Sequence, residues 1–494
     1  MHQPISIALL FFFSFFTLLW LNRARARSAL NLPPSPPKFP IIGHIHHLGA
    51  LPHRSLQALS TKYGPLMLLQ LGQTPTLVVQ SAEMAKQISK TNDIIFANRP
   101  ITTASKAFLY GCKDIAFAPY GDYWRQMRKI CVLDLLSAKR VQSFRFIREE
   151  EIGNMVNKIK KSCSEKKEVN LSDMIITVTN NVISRVALSK SLEIESGKTV
   201  YAKTIEELME LFGRFSVEDM FPSLGWIDVL TSLDRKMKNT SRAMHLFLDE
   251  VIEEHLMARK DGDRHVDCRD FVDILLDCEQ DSTLGVEFTR ENLKGVLLNM
   301  FVAGTDTTYT TLEWIMAELV NHPDVMKQLQ EEIRSVVGTK SKVEEHEIIH
   351  MDYLNCVIKE TLRLHAPIPF LLPRLSSEST TIDGYNIPAK TRVIINVWAI
   401  ARDPKIWDKP EDFIPERFVN NSIDYRGLDF AFIPFGAGRR ICPGISFGIN
   451  SVEAILVNLL YWFDWEKKAI DMSEGFGLSA KLKFPLRLLP ISQT

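Results

Sequence analysis

The loop Phe435–Gly444 constrains the fold of this chain more than any other segment. Two glycines precede Cys442 and allow the backbone to turn tightly and to approach a flat object closely. A proline and an apolar run follow, and they predict a helix that begins just after Cys442. The positive end of that helix, with Arg439 and Arg440 beside it, favours the thiolate over the thiol. The chain must therefore present a reactive sulfur at a helix N-terminus.

A thiolate in this position is a nucleophile or a metal ligand, unless Cys442 is a buried structural cysteine. A nucleophile needs a neighbouring base, and no histidine lies within ten residues. A single thiolate without neighbouring Cys or His ligands suits an iron that is held mainly by another group. We therefore predict that Cys442 is the axial ligand of a haem iron.

The pattern around Cys442 resembles the haem-binding signature of the cytochrome P-450 monooxygenases. Its matching residues are Phe435, Gly438, Arg440, Cys442 and Gly444. The resemblance extends over essentially the whole chain, and the proline-rich spacer is similar to that of the plant microsomal A-type group, the seventy-one clan. It implies the cytochrome P-450 fold, which is mainly α with small β-sheets (α+β), in a single large domain. It also implies haem b (iron protoporphyrin IX) as the cofactor.

A long helix is predicted over Glu291–Asn321, where a proline follows. Residues 303–308 in its middle carry glycine, threonines and an acid inside an otherwise apolar sequence, and such polar groups are costly there unless they have partners. The segment is either an exposed polar face or a groove that lines a cavity. The resemblance implies the groove, with Asp306 and Thr307 as the catalytic pair that delivers protons for O–O cleavage. It also implies that Gly304 leaves room for dioxygen.

Two sets of charged residues take their roles from the resemblance. Glu360 and Arg363 stand at i and i+3 on one predicted helix face, and with Arg417 they would form a buried ion network behind the haem. The side chains implied to hold the haem edge and its propionates are Trp124, Arg128, Arg374 and Arg440.

The substrate pocket is expected to be apolar. Its implied lining residues are Phe108, Phe212, Phe301, Ala303, Gly304, Ile368, Phe370 and Leu478. Such a lining predicts a small lipophilic metabolite as the substrate. The resemblance implies that one oxygen atom from dioxygen is inserted into it. The resemblance does not identify the metabolite.

The amino terminus reads as a membrane anchor. Ile5–Leu21 is a run of 17 residues without a charge, at the short end of what spans a bilayer. A cleaved signal peptide is the alternative, but Arg23, Arg25 and Arg27 follow the run and no Lys or Arg precedes it. Because positive charge stays on the cytoplasmic side, we expect a single-pass anchor in the endoplasmic reticulum membrane with the catalytic domain in the cytosol.

These features predict three parts of the chain. Residues 1–21 are the transmembrane anchor, 22–43 are a basic and proline-rich linker, and 44–494 are the haem-thiolate catalytic domain. Five prolines within Leu32–Pro40 make the linker a stiff spacer that ends in a turn at Gly43.

Composition excludes several functions. Lys and Arg total 59 and Asp and Glu total 59, so no basic excess exists to hold nucleic acid. Gly475–Ala480 fits a dinucleotide fingerprint, but too few residues follow it for a βαβ unit. Electrons must then come from a partner, and the resemblance implies NADPH through NADPH–cytochrome P-450 reductase, with cytochrome b5 as a second donor.

Two other functions remain as alternatives to a monooxygenase. One is a haem-thiolate isomerase or dehydratase without reductase, and the other is a non-catalytic haem- or lipid-binding membrane protein.

Hydrophobic periodicity predicts a mostly helical body. A β-hairpin is expected at Leu66–Leu71 and Thr76–Val79, and a strand at Thr391–Val397. Leu211–Leu230 is poorly periodic and reads as core or as a loop at the membrane surface. Besides the long helix, the predicted helices are Glu83–Ser89, Tyr123–Leu136, Phe144–Lys160, Val200–Phe212, Arg242–Met257, Val325–Val337, Leu354–Leu364 and Ile445–Tyr461.

Overall fold

The computed structural model describes most of the chain after the expected anchor. The described residues are 31–191, 193–194, 197–198, 200–214, 216–260, 269–281, 284–466, 468–477 and 479–493. The expected anchor at 1–21 and the pocket candidate Leu478 lie outside them.

Helices make up most of the described body, as predicted, and small sheets complete an α+β fold. The α-helices are α1 Pro52–Tyr63, α2 Ala82–Lys86, α3 Thr103–Phe108, α4 Asp122–Ile130, α5 Ala138–Ser143, α6 Arg145–Ser164, α7 Leu171–Leu188, α8 Val200–Phe212, α9 Trp226–Leu230, α10 Leu233–Lys260, α11 Phe271–Gln280, α12 Arg290–Asn321, α13 Pro323–Val337, α14 Asp352–Leu364, α15 Val397–Ile400 and α16 Ile445–Trp462.

The strands are short, and most of them lie in the C-terminal part of the chain, after residue 373. They are β1 Leu66–Leu71, β2 Thr74–Val79, β3 Val169–Asn170, β4 Glu193–Ile194, β5 Gly197–Lys198, β6 Arg374–Leu375, β7 Thr380–Ile382, β8 Tyr385–Ile387, β9 Arg392–Ile395, β10 Phe463–Trp465, β11 Glu474–Phe476, β12 Ala480–Leu482, β13 Arg487–Leu488 and β14 Pro490–Ser492. The largest described sheet has the order β1-β2-β9-β6, in which β2 and β9 run parallel and the other pairs antiparallel. The expected hairpin and strand are confirmed.

Helix α12 passes through the middle of the core. A capping box at Thr289 and Asn292 starts it, in which the side-chain oxygen of Asn292 accepts from the Thr289 amide at 2.6 Å. Leu293–Leu298 and Leu312–Val320 are buried on all faces. Helices α7 and α16 pack directly against it. A helix that is buried on all faces belongs in the centre of a large domain. Helix α12 can therefore form one wall of a buried site.

Helix α7 and the segment Leu211–Leu230 are among the parts of the chain that differ from their predictions. Helix α7 was not predicted, because its centre is rich in β-branched Ile, Val and Thr and in Asn, which are weak helix formers; burial against α12 outweighs that preference. In Leu211–Leu230 the chain forms the end of α8 and then the short helix α9, where Trp226 and Leu230 are 58% and 73% exposed. That part of the segment is not core.

The spacer packs onto the sheets. The Leu68 amide of β1 donates to the Pro34 carbonyl at 3.1 Å, and the Asn386 amide of β8 donates to the Asn31 carbonyl at 2.6 Å. The His44 ring is buried and bonds to the Pro36 carbonyl at 2.9 Å. Among the described helices, α16 alone is long and apolar enough to cross a membrane, and more than half of it is buried in the protein.

Candidate functional site

The loop before α16 folds around Cys442. The Cys442 amide donates to the Phe435 carbonyl at 3.0 Å, and the Gly444 amide donates to Sγ at 3.3 Å. Gly438 has φ +68°, and a Cβ there would lie 2.0 Å from the Ser89 carbonyl oxygen. Only glycine fits that position, which fixes the path of the loop. Gly444 is the N-cap residue of α16, so the sulfur lies at the helix start as predicted from the sequence pattern.

The electrostatic surroundings of Cys442 differ from the sequence expectation. Burial raises the pKa of the thiol, and the Gly444 amide and the Arg128 charge only partly oppose that effect. Arg439 does not act on the sulfur, because it is exposed and bonds to Tyr120 and Asp93. Cys442 is nevertheless half-buried by accessible area, so its open side faces an enclosed space. A bound metal cation would hold the thiolate there.

Arg440 and Arg374 lie beside this loop. Arg440 donates to the carbonyls of Ala97 and Ala118 at 2.7 and 2.6 Å and lies 4.2 Å from the ring centroid of Trp124. Burial and the nearby charge of Arg374 lower the pKa of Arg440 to about 9. The indole of Trp124 is buried.

Arg374 and Arg439 share one acid. Arg374 donates to an oxygen of Asp93 at 2.9 Å and to the Ala437 carbonyl at 2.7 Å. The Arg439 amide donates to the other Asp93 oxygen at 2.8 Å. Asp93 therefore holds the glycine loop against Arg374. Asp93 was not predicted as a site residue, because no motif surrounds it in the sequence.

The site carries more positive than negative charge. Arg128 makes no hydrogen bond or ion pair with any residue in the described part of the chain, and burial lowers its pKa. Arg99, also missed from sequence, is buried and donates only to carbonyls, among them Ala116 at 3.1 Å and Pro373 at 2.9 Å. Burial, Arg374 and Arg440 lower its pKa. Buried cations that have no acidic partner favour the binding of an anionic group. The two propionates of the haem implied by the resemblance fit these donors.

The middle of α12 is open to space inside the body. Ala303 is exposed, and Thr307, one turn later, is half-buried, although the helix on either side is buried. Accessible surface in the middle of an otherwise buried helix favours a groove over an outer polar face. Phe301, just before the stripe, is fully buried.

Asp306 and Thr307 point to different partners. The Thr307 hydroxyl donates to the Ala303 carbonyl at 2.7 Å. Asp306 is 9% exposed, and its Oδ2 atom has no hydrogen-bond partner among the described residues. Burial raises the pKa of Asp306, while the Ser479 hydroxyl and the Lys481 charge lower it. A buried acid with a free oxygen beside a hydroxyl can exchange protons.

Gly304 lies where α12 meets α7. A Cβ at this residue would lie 3.2 Å from the side chain of Ile183 on α7. The missing side chain thus lets α7 and α12 approach closely. The implied role of Gly304 in leaving room for dioxygen stays a prediction.

Part of the expected pocket lining forms one aromatic cluster. Phe108 and Phe212 stack with ring centroids 5.8 Å apart, and Phe117 lies 5.9 Å from Phe212. These rings belong to the same apolar core as Phe301. A flat lipophilic molecule would suit contacts with such rings.

The remaining pocket candidates are not all in this cluster. Ile368 is half-buried. Phe370 packs with the apolar side chains under β1 and β2, and its ring lies 6.2 Å from that of His53. Phe370 thus packs against a different apolar cluster from Phe108 and Phe212, and its role in the substrate pocket stays a prediction. Leu478 lies outside the described residues.

The structure brings Glu360, Arg363 and Arg417 together. The Glu360 carboxylate accepts from Arg363 at 2.7 and 2.8 Å and from Arg417 at 3.0 Å. The amide of Ile414 donates a further hydrogen bond at 2.8 Å. Arg363 also lies 5.3 Å from the ring centroid of Trp407. This network joins α14 to the segment that precedes the cysteine loop.

One further pair was missed from sequence. The Asn299 side-chain oxygen on α12 accepts from the amides of Ile115 and Ala116, both at 3.1 Å. Buried Asp114 accepts from the Ala116 and Phe117 amides at 2.8 and 2.9 Å. The pair fixes the segment whose carbonyls receive Arg99 and Arg440. A polar Asn in an apolar helix was the available signal.

Comparisons with known proteins agree with this geometry. A family model described as "Cytochrome P450" matches residues 33–483. "Cytochrome P450 71A1" of Persea americana is 54% identical over 455 residues, which are 90% of this chain and 91% of that protein. "Phenylacetaldehyde oxime monooxygenase CYP71AN24" of Prunus mume is 47% identical over 97% of this chain and 93% of that protein. A solved zebra fish cytochrome P450 with abiraterone has a TM-score of 0.73 at 26% identity and covers 90% of this chain and 100% of its own.

Proposed function

The chain belongs to the cytochrome P450 family and is a haem-thiolate oxidoreductase of the plant type; from this premise we propose that it is a membrane-bound monooxygenase. It inserts one oxygen atom from dioxygen into a small lipophilic specialised metabolite. The electrons come from NADPH through a reductase. The observation that carries this proposal is the enclosed thiol of Cys442 at the start of α16, beside cations that have no acid partner.

Two groups of residues would hold the haem. Cys442 Sγ would bind the iron, and Phe435, Gly438 and Gly444 shape the loop around it. Trp124, Arg128, Arg374 and Arg440 hold the propionate edge. The bound haem supplies the activation of dioxygen.

Two residues of α12 manage protons in this proposal. The Thr307 hydroxyl, now bonded to the Ala303 carbonyl, rotates to hold a proton towards the cavity. Asp306 restores that proton, because burial brings its pKa closer to neutral than that of an exposed carboxyl.

The substrate class follows from the lining and the relatives. The rings of Phe108, Phe212 and Phe301 favour a flat lipophilic molecule. One relative, at 47% identity, is named for an aromatic oxime. We propose aromatic specialised metabolites, with aryl oximes as the first group to test.

The membrane and partner assignments are part of the same proposal. Residues 1–21 anchor the chain once in the endoplasmic reticulum membrane, 22–43 link it, and 44–494 form the cytosolic catalytic domain. The exposed Trp226, Val229 and Leu230 supply a second apolar surface that could rest on lipid. NADPH–cytochrome P450 reductase is the proposed electron donor, with cytochrome b5 as a second.

The test is spectroscopic and catalytic. The full chain, expressed in microsomes with ample haem, should give a thiolate-type spectrum with carbon monoxide. A panel of aryl oximes and other aromatic metabolites should include compounds that shift the ferric spectrum. Product from those compounds should require NADPH and reductase.

Each alternative gives a different result. Product without NADPH would indicate an isomerase or dehydratase. Ligand binding without any turnover in the complete system would indicate a carrier. A protein that takes up no haem would refute the proposed function altogether.

A further inference from the structure

The β11–β12 hairpin lies along one face of α12. The Trp314 indole donates to the Ala480 carbonyl at 2.8 Å, and the Leu482 amide donates to Glu313 Oε2 at 3.3 Å. The hydroxyls of Thr310 and Ser479 are 3.0 Å apart. The contacting residues Thr310, Glu313 and Trp314 lie within about one turn of α12, so hydrogen bonds fix the hairpin against the helix.

Asp306 lies on the same face of the helix. It precedes Thr310 by four residues, and side chains at this spacing are neighbours. Ser479 is 2% exposed and Asp306 is 9% exposed, so water reaches neither freely. A carboxylate so enclosed needs a hydrogen-bond donor, and Ser479 is the hydroxyl that stabilises it.

We propose that Ser479 is a positioning residue for Asp306, and that with Thr310 it holds the carboxylate in the orientation from which protons pass to Thr307. The inference rests on the proposed function, since it gives Asp306 a task only if the chain activates dioxygen.

The order of donors follows from chemistry. A carboxylate has no proton to give, so in the proposed arrangement Ser479 donates to Asp306 and accepts from Thr310. That donation would hold one oxygen of Asp306, while Oδ2 has no hydrogen-bond partner among the described residues. That free oxygen is the place where an incoming proton binds.

Lys481, Tyr309 and Glu313 also lie near this face of α12. Exposed Lys481 on β12 attracts the charged form of both Asp306 and Glu313. Tyr309 lies on the same face but donates to Glu313 at 2.7 Å. Glu313 is occupied by Tyr309, Ser172 and the hairpin backbone. Among these groups, Ser479 is therefore the neutral donor available to Asp306.

The first test measures the carboxyl group directly. Infrared spectra of the purified holoenzyme are recorded across pH, with Asp306→Asn as the blank that identifies the Asp306 band. Ser479→Ala should move the midpoint of that band to higher pH, because a donor to the charged form is lost. Ser479→Thr should restore the midpoint, and Thr310→Val should move it in the same direction as Ser479→Ala.

The second test measures oxygen reduction with reductase and NADPH, without an organic substrate. Ser479→Ala should raise peroxide released per NADPH by roughly threefold to tenfold, less than Asp306→Asn does. Ser473→Ala is the matched control, because Ser473 is exposed on the same hairpin and bonds to Asp471. It should match the wild type.

The outcomes separate the two proposals. Unchanged infrared midpoints in Ser479→Ala and Thr310→Val, in proteins that keep the thiolate-type spectrum, would overturn the role of Ser479 and leave the proposed function intact. Absence of that spectrum in the wild type would instead refute the proposed function.

Discussion

The carboxylate of Glu360 accepts two hydrogen bonds from the guanidinium of Arg363, at 2.7 and 2.8 Å, where neither side chain has any accessible surface. The same two residue types at the same i,i+3 spacing would contribute little on an exposed helix. Here water cannot replace either partner. The pair therefore behaves as one structural unit, and removal of one charge leaves the other buried and unpaired.

Glu360→Gln should lower the free energy of unfolding by about 3–5 kcal/mol, because it strands Arg363 in the core. Urea unfolding followed by circular dichroism measures the change. Asp122→Asn is the control, since Asp122 pairs with Arg125 at the same spacing on the surface. Equal effects of both variants would contradict a buried network.

Cys442→Ala should abolish the thiolate-type carbon monoxide spectrum, because no other described sulfur lies at a helix start inside the site. Difference spectra of microsomes make the measurement. Cys356→Ala, which alters a buried thiol on α14, should leave the spectrum unchanged. A normal spectrum in Cys442→Ala would rule out this ligand.

Thr307→Ala should still consume NADPH but release peroxide, with product per NADPH reduced by roughly tenfold, because the hydroxyl facing the groove is lost. Peroxide and product are measured together once a substrate is found. Thr311→Ala is the matched control, since Thr311 makes the same kind of bond, to the Thr307 carbonyl at 2.8 Å. Coupled turnover in Thr307→Ala would argue against a role in proton transfer.

Arg128→Ala should speed the loss of haem by roughly tenfold to a hundredfold, because a charge-assisted bond to a propionate is removed. Transfer of haem to apomyoglobin gives the rate. Arg125→Ala, on the exposed side of α4 and paired with Asp122, should behave as the wild type. Similar rates in the two variants would mean that Arg128 does not hold the cofactor.

Glu474→Gln should change how stability depends on pH. Burial raises the pKa of Glu474, but hydrogen bonds from His53 and Arg54 outweigh it and lower the pKa to about 2. The folded pKa is below the unfolded one, so this stabilisation is present above about pH 4.5 and is lost as pH falls towards 2.

The variant should therefore lose about 2 kcal/mol at pH 7 and show a flatter stability profile between pH 4.5 and pH 3. Urea unfolding at several pH values tests both. Glu466→Gln is the control, because Glu466 is an exposed acid a few residues before Glu474 in the sequence. Parallel profiles for wild type and Glu474→Gln would contradict the assigned pair.

Local patterns predicted the parts of the site that are local in sequence. The cysteine loop, α12 and the i,i+3 pair Glu360 and Arg363 each lie within one continuous segment, where glycine, helix caps and periodicity act directly. The bond between Arg374 and Asp93 joins residues 281 positions apart, and no periodicity reports such a contact.

Other parts of the expected pocket were implied by resemblance alone. Gly304 was expected to leave room for dioxygen, but the neighbours of its missing Cβ depend on where α7 packs. Phe370 was implied as a pocket residue, but an apolar ring suits either of two cores equally well. Composition indicates burial, but only the packing of distant elements decides which cavity a ring faces.

The hydrogen bonds from the spacer to β1 and β8 have a consequence for access to the site. A leading segment that is bonded to its own sheets cannot act as a loose tether. With 1–21 in the bilayer as proposed, the β-structure of the catalytic body contributes to setting its tilt. Exchange of the first forty residues with a relative should therefore alter the direction from which lipid-dissolved molecules enter, without touching any residue near the iron.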